Sequence, residues 1–314
     1  MKHTRLKAAM AALALSACTA APDMTAIQAE RARPVQRYDI TQALASNGRV
    51  IVAGTQSAAV LVSDDQGQRW TRIALSGASM IGLAACPDGS FVGIDFHHQV
   101  WSSDAAGKSW ASVKLERPGV PLALTCDPKG RWWVAGSQSV IAMSDDRGAH
   151  WTVIDGKEDA QITALQFVDA NVGYAAGEFG HVLATEDGGQ TWTKRAPIAG
   201  EFYPYAMVFT SRDTGWVSGL AGQVLHTQDG GRTWAPQTNA THAPLYRLFA
   251  HRGVPYGVGA GGTVARLQGD AWQAVPYPDA GPAFIGAGAS LDAQDALALG
   301  GPGALLRVIS ARTN

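Results

Sequence analysis

The chain has 314 residues, 46% of them hydrophobic and only 16% charged, which excludes a disordered chain and leaves enough apolar surface for one large core or two smaller ones. A formal charge of −1 supplies no field for a polyanion and excludes nucleic acid as an expected partner. With 36 glycines and 10 tryptophans, short strands joined by tight turns outweigh long surface helices, and the expected class is all-β.

The first segment is an address. "MKHTRLK" carries Lys2, Arg5 and Lys7 and runs into "AAMAALALSA", an apolar stretch too short to span a bilayer as a stable helix, so it reads as an export signal. It ends at Leu15, Ser16, Ala17 and Cys18, which resembles the lipobox of bacterial lipoproteins. The resemblance implies a signal peptide over 1–17 and a lipid on Cys18; the stretch that follows, "TAAPDMTAIQAERARP", lacks a strand pattern and reads as a flexible tether, over 18–33. Ordinary signal-peptidase cleavage near Ala20, with Cys18 removed, is the alternative, and either route exports the chain. Cleavage removes three of 25 basic residues, leaving 22 against 26 acidic ones and a net charge of about −4. Thr19 rather than an acid follows Cys18, and by resemblance to lipoprotein sorting this implies the periplasmic face of the outer membrane.

Beyond residue 33 the chain repeats itself. Trp70, Trp110, Trp151, Trp192, Trp234 and Trp272 follow one another at intervals of 40, 41, 41, 42 and 38 residues, the period of a blade array. Each closes a copy of one phrase. The full copies hold Ser63, Asp65, Gly67 and Trp70; Ser144, Asp146, Gly148 and Trp151; Thr185, Asp187, Gly189 and Trp192; and Thr227, Asp229, Gly231 and Trp234. The second copy keeps Ser103, Gly107 and Trp110 but has Ala105 where Asp belongs, and "ARLQGDAW" keeps only Gly269 and Trp272. The pattern resembles the Asp-box, or bacterial neuraminidase repeat. Its chemistry is local: the carboxylate accepts turn amides, the hydroxyl adds a second bond, and the glycine takes a positive φ. The Trp lays an apolar face across the following strand. The box is therefore read as a structural tie, since a motif repeated around a ring cannot mark one active site.

Within a unit, "ITALQF", "VGYAAG", "HVLATE" and "WTKRA" read as four strands separated by turn residues. The expected fold is a seven-bladed β-propeller of four-stranded antiparallel blades with Asp-box turns, over residues 34–312. The last unit lacks a fourth strand, so residues 34–38, "PVQRY", are expected to supply it and close the ring. Cys86 and Cys126 occupy matching positions of neighbouring units. Such positions are expected to lie farther apart than the roughly 4.4–6.8 Å between Cα atoms that a disulfide tolerates, which predicts two buried thiols.

If the innermost strand comes first, the boxes share one face and the loops between second and third strands share the other with the blade-to-blade connections. On that second face lie His97 and His98, Glu178 and Phe179, and the loop with Glu201, Phe202, Tyr203 and Tyr205, joined by His242, Tyr246 and Tyr277. An aromatic loop carrying an acid on a rigid scaffold is a candidate contact site; the plainer alternative is that these rings plug the channel mouth. No His or Cys has metal-ligand spacing, no phosphate-cradling loop precedes a helix, and neither metal nor cofactor is expected. No arginine motif of sialidase type leads into blade one. Glu178 and Glu201 fall on one face in successive blades, which leaves a glycosidase pair open.

The stretches "VGYAAGEFGHVLATEDGGQTW" and "TGWVSGLAGQVLHTQDGGRTW" resemble the photosystem II stability/assembly factor family over roughly residues 34–312. The resemblance implies a seven-bladed propeller that binds membrane-protein assembly intermediates without catalysis; no binding residues are carried over from it. The expected function is a membrane-tethered, non-enzymatic propeller docking a membrane protein or envelope complex. A glycan-binding propeller, or a glycoside hydrolase of sialidase or xyloglucanase type, is the alternative.

Overall fold

The computed structural model describes residues 23–200 and 202–311, so Cys18 and Glu201 lie outside the described residues. Residues through Arg33 and residues from Pro34 onward are separate units. In the first, the stretch expected to be a flexible tether contains a helix, Thr25–Arg31, with no buried residue. Its sequence "TAIQAER" is rich in helix formers, the Asp23 carboxylate accepts the Thr25 amide at 2.9 Å, and Glu30 pairs with Arg33 at 3.1 Å.

The second unit is a seven-bladed β-propeller whose first five blades are four-stranded antiparallel meanders, with a fifth strand in blade six and three strands described in blade seven. The blades begin with Thr41–Ser46, Met80–Ala85, Pro121–Cys126, Ile162–Phe167, Pro204–Phe209, Leu245–His251 and Ala287–Leu291. Each of these first strands packs beside the first strand of the next blade, and the seventh packs beside the first, which closes the ring. Together they line the central channel, so the innermost strand does come first.

Burial falls from the middle of each blade to its rim, for a physical reason. Second strands such as Ile51–Thr55, Trp132–Gly136 and Gly173–Gly177 are buried at every position because both faces of a blade meet a neighbour. They consequently read as continuous runs of small and apolar residues, whereas fourth strands such as Thr71–Ala74 and Thr152–Asp155 face water along much of their length. The core is divided into seven apolar layers, each shared by two adjacent blades. Blade six carries a short extra strand, Thr238–Asn239, parallel to its fourth.

Two expectations are corrected here. Residues 34–38 do not form the fourth strand of blade seven, which has three strands among the described residues. They fold instead into a turn: Asp39 Oδ2 accepts the Gln36 amide at 2.8 Å, and Arg72 pairs with Asp39 at 2.8 Å while donating to the Pro34 carbonyl at 3.1 Å. A buried carboxylate drawing the segment toward an arginine of blade one outcompetes a strand that begins with a proline and so lacks one donor. Val35 still packs on the layer between blades seven and one. The second correction concerns Cys86 and Cys126, which are disulfide-bonded, with 5.2 Å between their Cα atoms. Separation between matching positions shrinks toward the ring axis, and both cysteines sit at the ends of innermost strands, where adjacent blades approach most closely.

Candidate docking face and central channel

The box face is uniform. In the four full copies the hydroxyl donates to the carboxylate at 2.8 or 2.9 Å and accepts the glycine amide at 2.7–3.0 Å. The carboxylate then accepts the amide four residues on, at 2.8 or 2.9 Å. These bonds favour the ionised acid. Arg69's side chain and amide hold Asp65 at about 2, the amide and ring of His150 do the same for Asp146, and Thr191's hydroxyl and amide for Asp187. At Asp229 burial works in the opposite direction, but Thr233's hydroxyl and amide still bring it to about 2. The degenerate copy is rescued by Asp104, one position early, whose carboxylate accepts the Lys108 amide at 3.2 Å.

The box does more than tie its own hairpin. Gly189 has φ +84°, and a Cβ there would lie 2.1 Å from the Trp133 ring of the preceding blade; at Gly67 it would lie 2.4 Å from Val308 of blade seven. The Trp rings likewise pack into interblade layers rather than only across the following strand: Trp192 meets Trp133 and Phe167 edge-on at 6.0 and 5.8 Å. Each full box is therefore also a joint between blades.

The opposite face is irregular and apolar. Phe179, 62% exposed at φ +58°, stands at the tip of the blade-four loop that connects second and third strands. Phe96 and Leu220, each 54% exposed, occupy the equivalent loops of blades two and five, while Val120 and Phe284 are exposed on connections between blades. Tyr203, Tyr205, Tyr246 and Phe284 form a ladder across blades five to seven, with successive ring centroids 6.2, 5.4 and 6.2 Å apart. Burial pushes the Tyr203 phenol above its ordinary pKa, with Glu178 and Tyr205 adding to the rise.

Other residues singled out in the sequence separate by environment. His97 is exposed beside the half-buried His98, which carries φ +59°. Glu178 accepts the Gln161 amide at 2.9 Å, which engages its carboxylate in holding a loop. Phe202 is not part of the exposed face: it is 5% exposed, belongs to the layer between blades four and five, and lies against Gly219. Its carbonyl accepts the Gly180 amide at 2.7 Å, fastening the Phe179 loop to the blade-five connection. Tyr277 donates to the Gly262 carbonyl at 2.8 Å.

Sequence reasoning missed two buried acids that organise these loops. Asp95 accepts the amides of His97 and Gln99 at 2.7 and 3.0 Å and the Trp101 indole at 2.7 Å. On the box face Asp127 accepts the Lys129 and Arg131 amides, Arg131's side chain at 2.7 Å, and the Trp133 indole at 2.9 Å. An Asp six residues before a Trp was the available signal. His251 was missed too: it bridges Ser290 at 2.8 Å and Asp295 at 3.1 Å, joining blades six and seven near the box face.

The channel is a cavity of about 420 Å³ lined almost wholly by apolar and small side chains. Among the described residues Arg247 is the single charged one on its wall. Gln166 is spent on both sides, bonding the Phe209 carbonyl at 2.9 Å and amide at 2.8 Å, and Thr163 donates to the Pro204 carbonyl at 2.9 Å.

Comparison with known proteins bears on this scaffold. Residues 150–244 match the family model described as Photosynthesis system II assembly factor YCF48. The Photosystem II assembly lipoprotein Ycf48 of Synechococcus sp. (strain CC9902) is 29% identical over 94 residues, so the match covers 29% of this chain and 28% of that protein's length. Among solved structures, YCF48 from Cyanidioschyzon merolae superposes with a TM-score of 0.70 at 15% identity, covering 88% of this chain and 97% of that one. YCF48 bound to D1 peptide gives 0.57 at 17%, covering 70% and 74%. Virginiamycin B lyase from Staphylococcus aureus gives 0.73 at 12%, covering 87% and 94%, so the shared element at these identities is the fold. The chain is thus an Asp-box β-propeller similar to the photosystem II assembly factor Ycf48 family, with that family's own pattern carried by residues 150–244.

Proposed function

We propose that this protein is a non-enzymatic assembly or stability factor that docks an extended segment of a membrane protein on the face opposite the boxes. The observation that carries the reading is the concentration of exposed Phe96, Val120, Phe179, Leu220 and Phe284 on that one face, next to a four-ring aromatic ladder. Scattered apolar residues need no explanation, but a set gathered on one face of a rigid ring is the composition of a contact surface. The Ycf48-like pattern over residues 150–244 and the D1 peptide bound by the structural relative support a polypeptide as the occupant. A lipid on Cys18, attachment to the envelope and a place at the periplasmic side of the outer membrane belong to the same proposal; they rest on the N-terminal sequence and on the relative being a lipoprotein.

The test is affinity capture from crosslinked, detergent-solubilised membranes, comparing the wild type with Phe96→Ser, Phe179→Ser and Leu220→Ser combined. Recovery of one membrane protein by the wild type and its loss from the triple variant is the expected result. Equal recovery by both proteins would move the contact elsewhere. Turnover of a sialoside or xyloglucan panel, abolished by Glu178→Gln or Glu201→Gln, would replace the docking reading with the glycosidase one.

A further inference from the structure

The first-strand registers define one layer of the channel wall. Pairing with the second strands puts Ala43, Gly82, Ala123, Ala164, Ala206 and Gly288 at matching positions of six blades, and Arg247 at that position in the seventh. All seven line the cavity. Six side chains of one carbon or none keep the layer open where the arginine stands. The Arg247 guanidinium has no hydrogen bond or ion pair among the described residues, and burial pushes its pKa below the ordinary value. The side chain is half-buried at the channel wall, and a cation with no protein partner there adds nothing to folding. Arg247 lies two residues, roughly 7 Å, below the start of its strand, at the mouth of the aromatic face. Beside it in sequence is Tyr246, and on the preceding blade Tyr205 lines the same cavity with a hydroxyl that is also without a partner among the described residues.

We propose that the mouth of the channel is a carboxylate site, in which Arg247 holds the anion by paired charge-assisted hydrogen bonds and Tyr205 and Tyr246 cover the apolar part of the ligand. A carboxylate suits this wall better than a phosphate or sulfate: one guanidinium neutralises one negative charge and matches the carboxylate fork, whereas a second charge would find no partner on an apolar wall. The anion is either the free terminus of a peptide or a small monocarboxylic acid. The site stands whether or not a protein docks on the surrounding rim.

The experiment is titration calorimetry with thermal melting of the full chain in a low-salt, chloride-free buffer. Propionate, N-acetylalanine and N-acetylalaninamide are the probes, tested on the wild type, Arg247→Met and Arg247→Lys. Both acids are expected to bind the wild type and raise its melting temperature, with no effect from the amide. Arg247→Met should lose at least tenfold in affinity while melting no lower than the wild type, and Arg247→Lys should retain part of the affinity. N-acetylalanine binding tenfold tighter than propionate identifies a peptide terminus as the ligand, and equal binding identifies a free acid. Absence of binding by either acid, equal binding of acid and amide, or undiminished binding by Arg247→Met overturns the proposal; the comparison of acid with amide does so even if the variant fails to fold.

Discussion

The two faces of the ring are made by opposite rules. On the box face the same few atoms recur in four blades, each box aspartate is consumed by turn amides, and the glycines abut the neighbouring blade. On the other face the loops of blades three to six repeat one short turn but not its side chains, Gln138, Phe179, Ala221 and Gly261 standing at the same left-handed position; several hydrophobic side chains are left in water, and the channel opens onto an arginine without a partner among the described residues. Repetition marks what every blade needs in order to stand. Departure from repetition marks what only one place on the molecule needs, and that is where recognition is expected.

Perturbations of the box face should therefore cost stability, in graded amounts. The largest cost is expected from opening the disulfide, whose cysteines end innermost strands at that face; constraining a loop of 40 residues is worth about 4 kcal/mol in the chain-entropy account. Chemical denaturation of the Cys86→Ser, Cys126→Ser double variant measures it, and an unchanged midpoint would remove the hub from the list of supports. Next is Gly189→Ala, which combines a left-handed backbone with a methyl driven into the Trp133 ring and should cost about 2–4 kcal/mol in the same assay. Thr185→Ala deletes the hydroxyl that bonds both Asp187 and the Gly189 amide, at a cost of about 1–2 kcal/mol.

Acid should act on the same face. The four box aspartates are held at about 2 in the fold, below the ordinary carboxylate value of 3.8. Their contribution is therefore fully present above about pH 4 and is lost as pH falls toward 2. Thermal melting across that window should show a steep decline, and Asp187→Asn should make it shallower. The smallest effect on stability is predicted for the other face. Phe179→Ser should shift the unfolding free energy by less than about 0.5 kcal/mol, since its side chain is mostly in water. A large loss there would mean that the exposed ring supports the fold and would erase the contrast between the faces.

What could be read in the chain follows the same division. The boxes were legible because hydroxyl, carboxylate and glycine lie within five residues and repeat, so blade number and strand order came with them. The disulfide was not legible, because its feasibility depends on how near the axis two blades meet. Nor could an aromatic loop be sorted from sequence into rings facing water and rings facing the core: Phe179 and Phe202 looked alike, and only packing against Gly219 separates them. Residues 34–38 were the one segment left over for a blade one strand short, and a single buried pair, Asp39 with Arg72, decided otherwise. Arg247 left a trace that local reading overlooked, as the one large residue in a layer of alanines and glycines.

Among the described residues blade seven leaves its outer-strand position open. The last strand, Leu306–Ser310, ends on the box face, while the chain enters the ring at Ile40, bridged to Pro302 on the other. The two points are one strand length apart, about 17 Å for five residues, and a strand added there would run in the direction its neighbours require. A circular permutant joining residue 311 to residue 34 through a linker of that length, and cut instead at the exposed Arg252–Gly253 turn, would turn the gap into a seam. The ring would then be continuous through blade seven, with its ends moved to blade six.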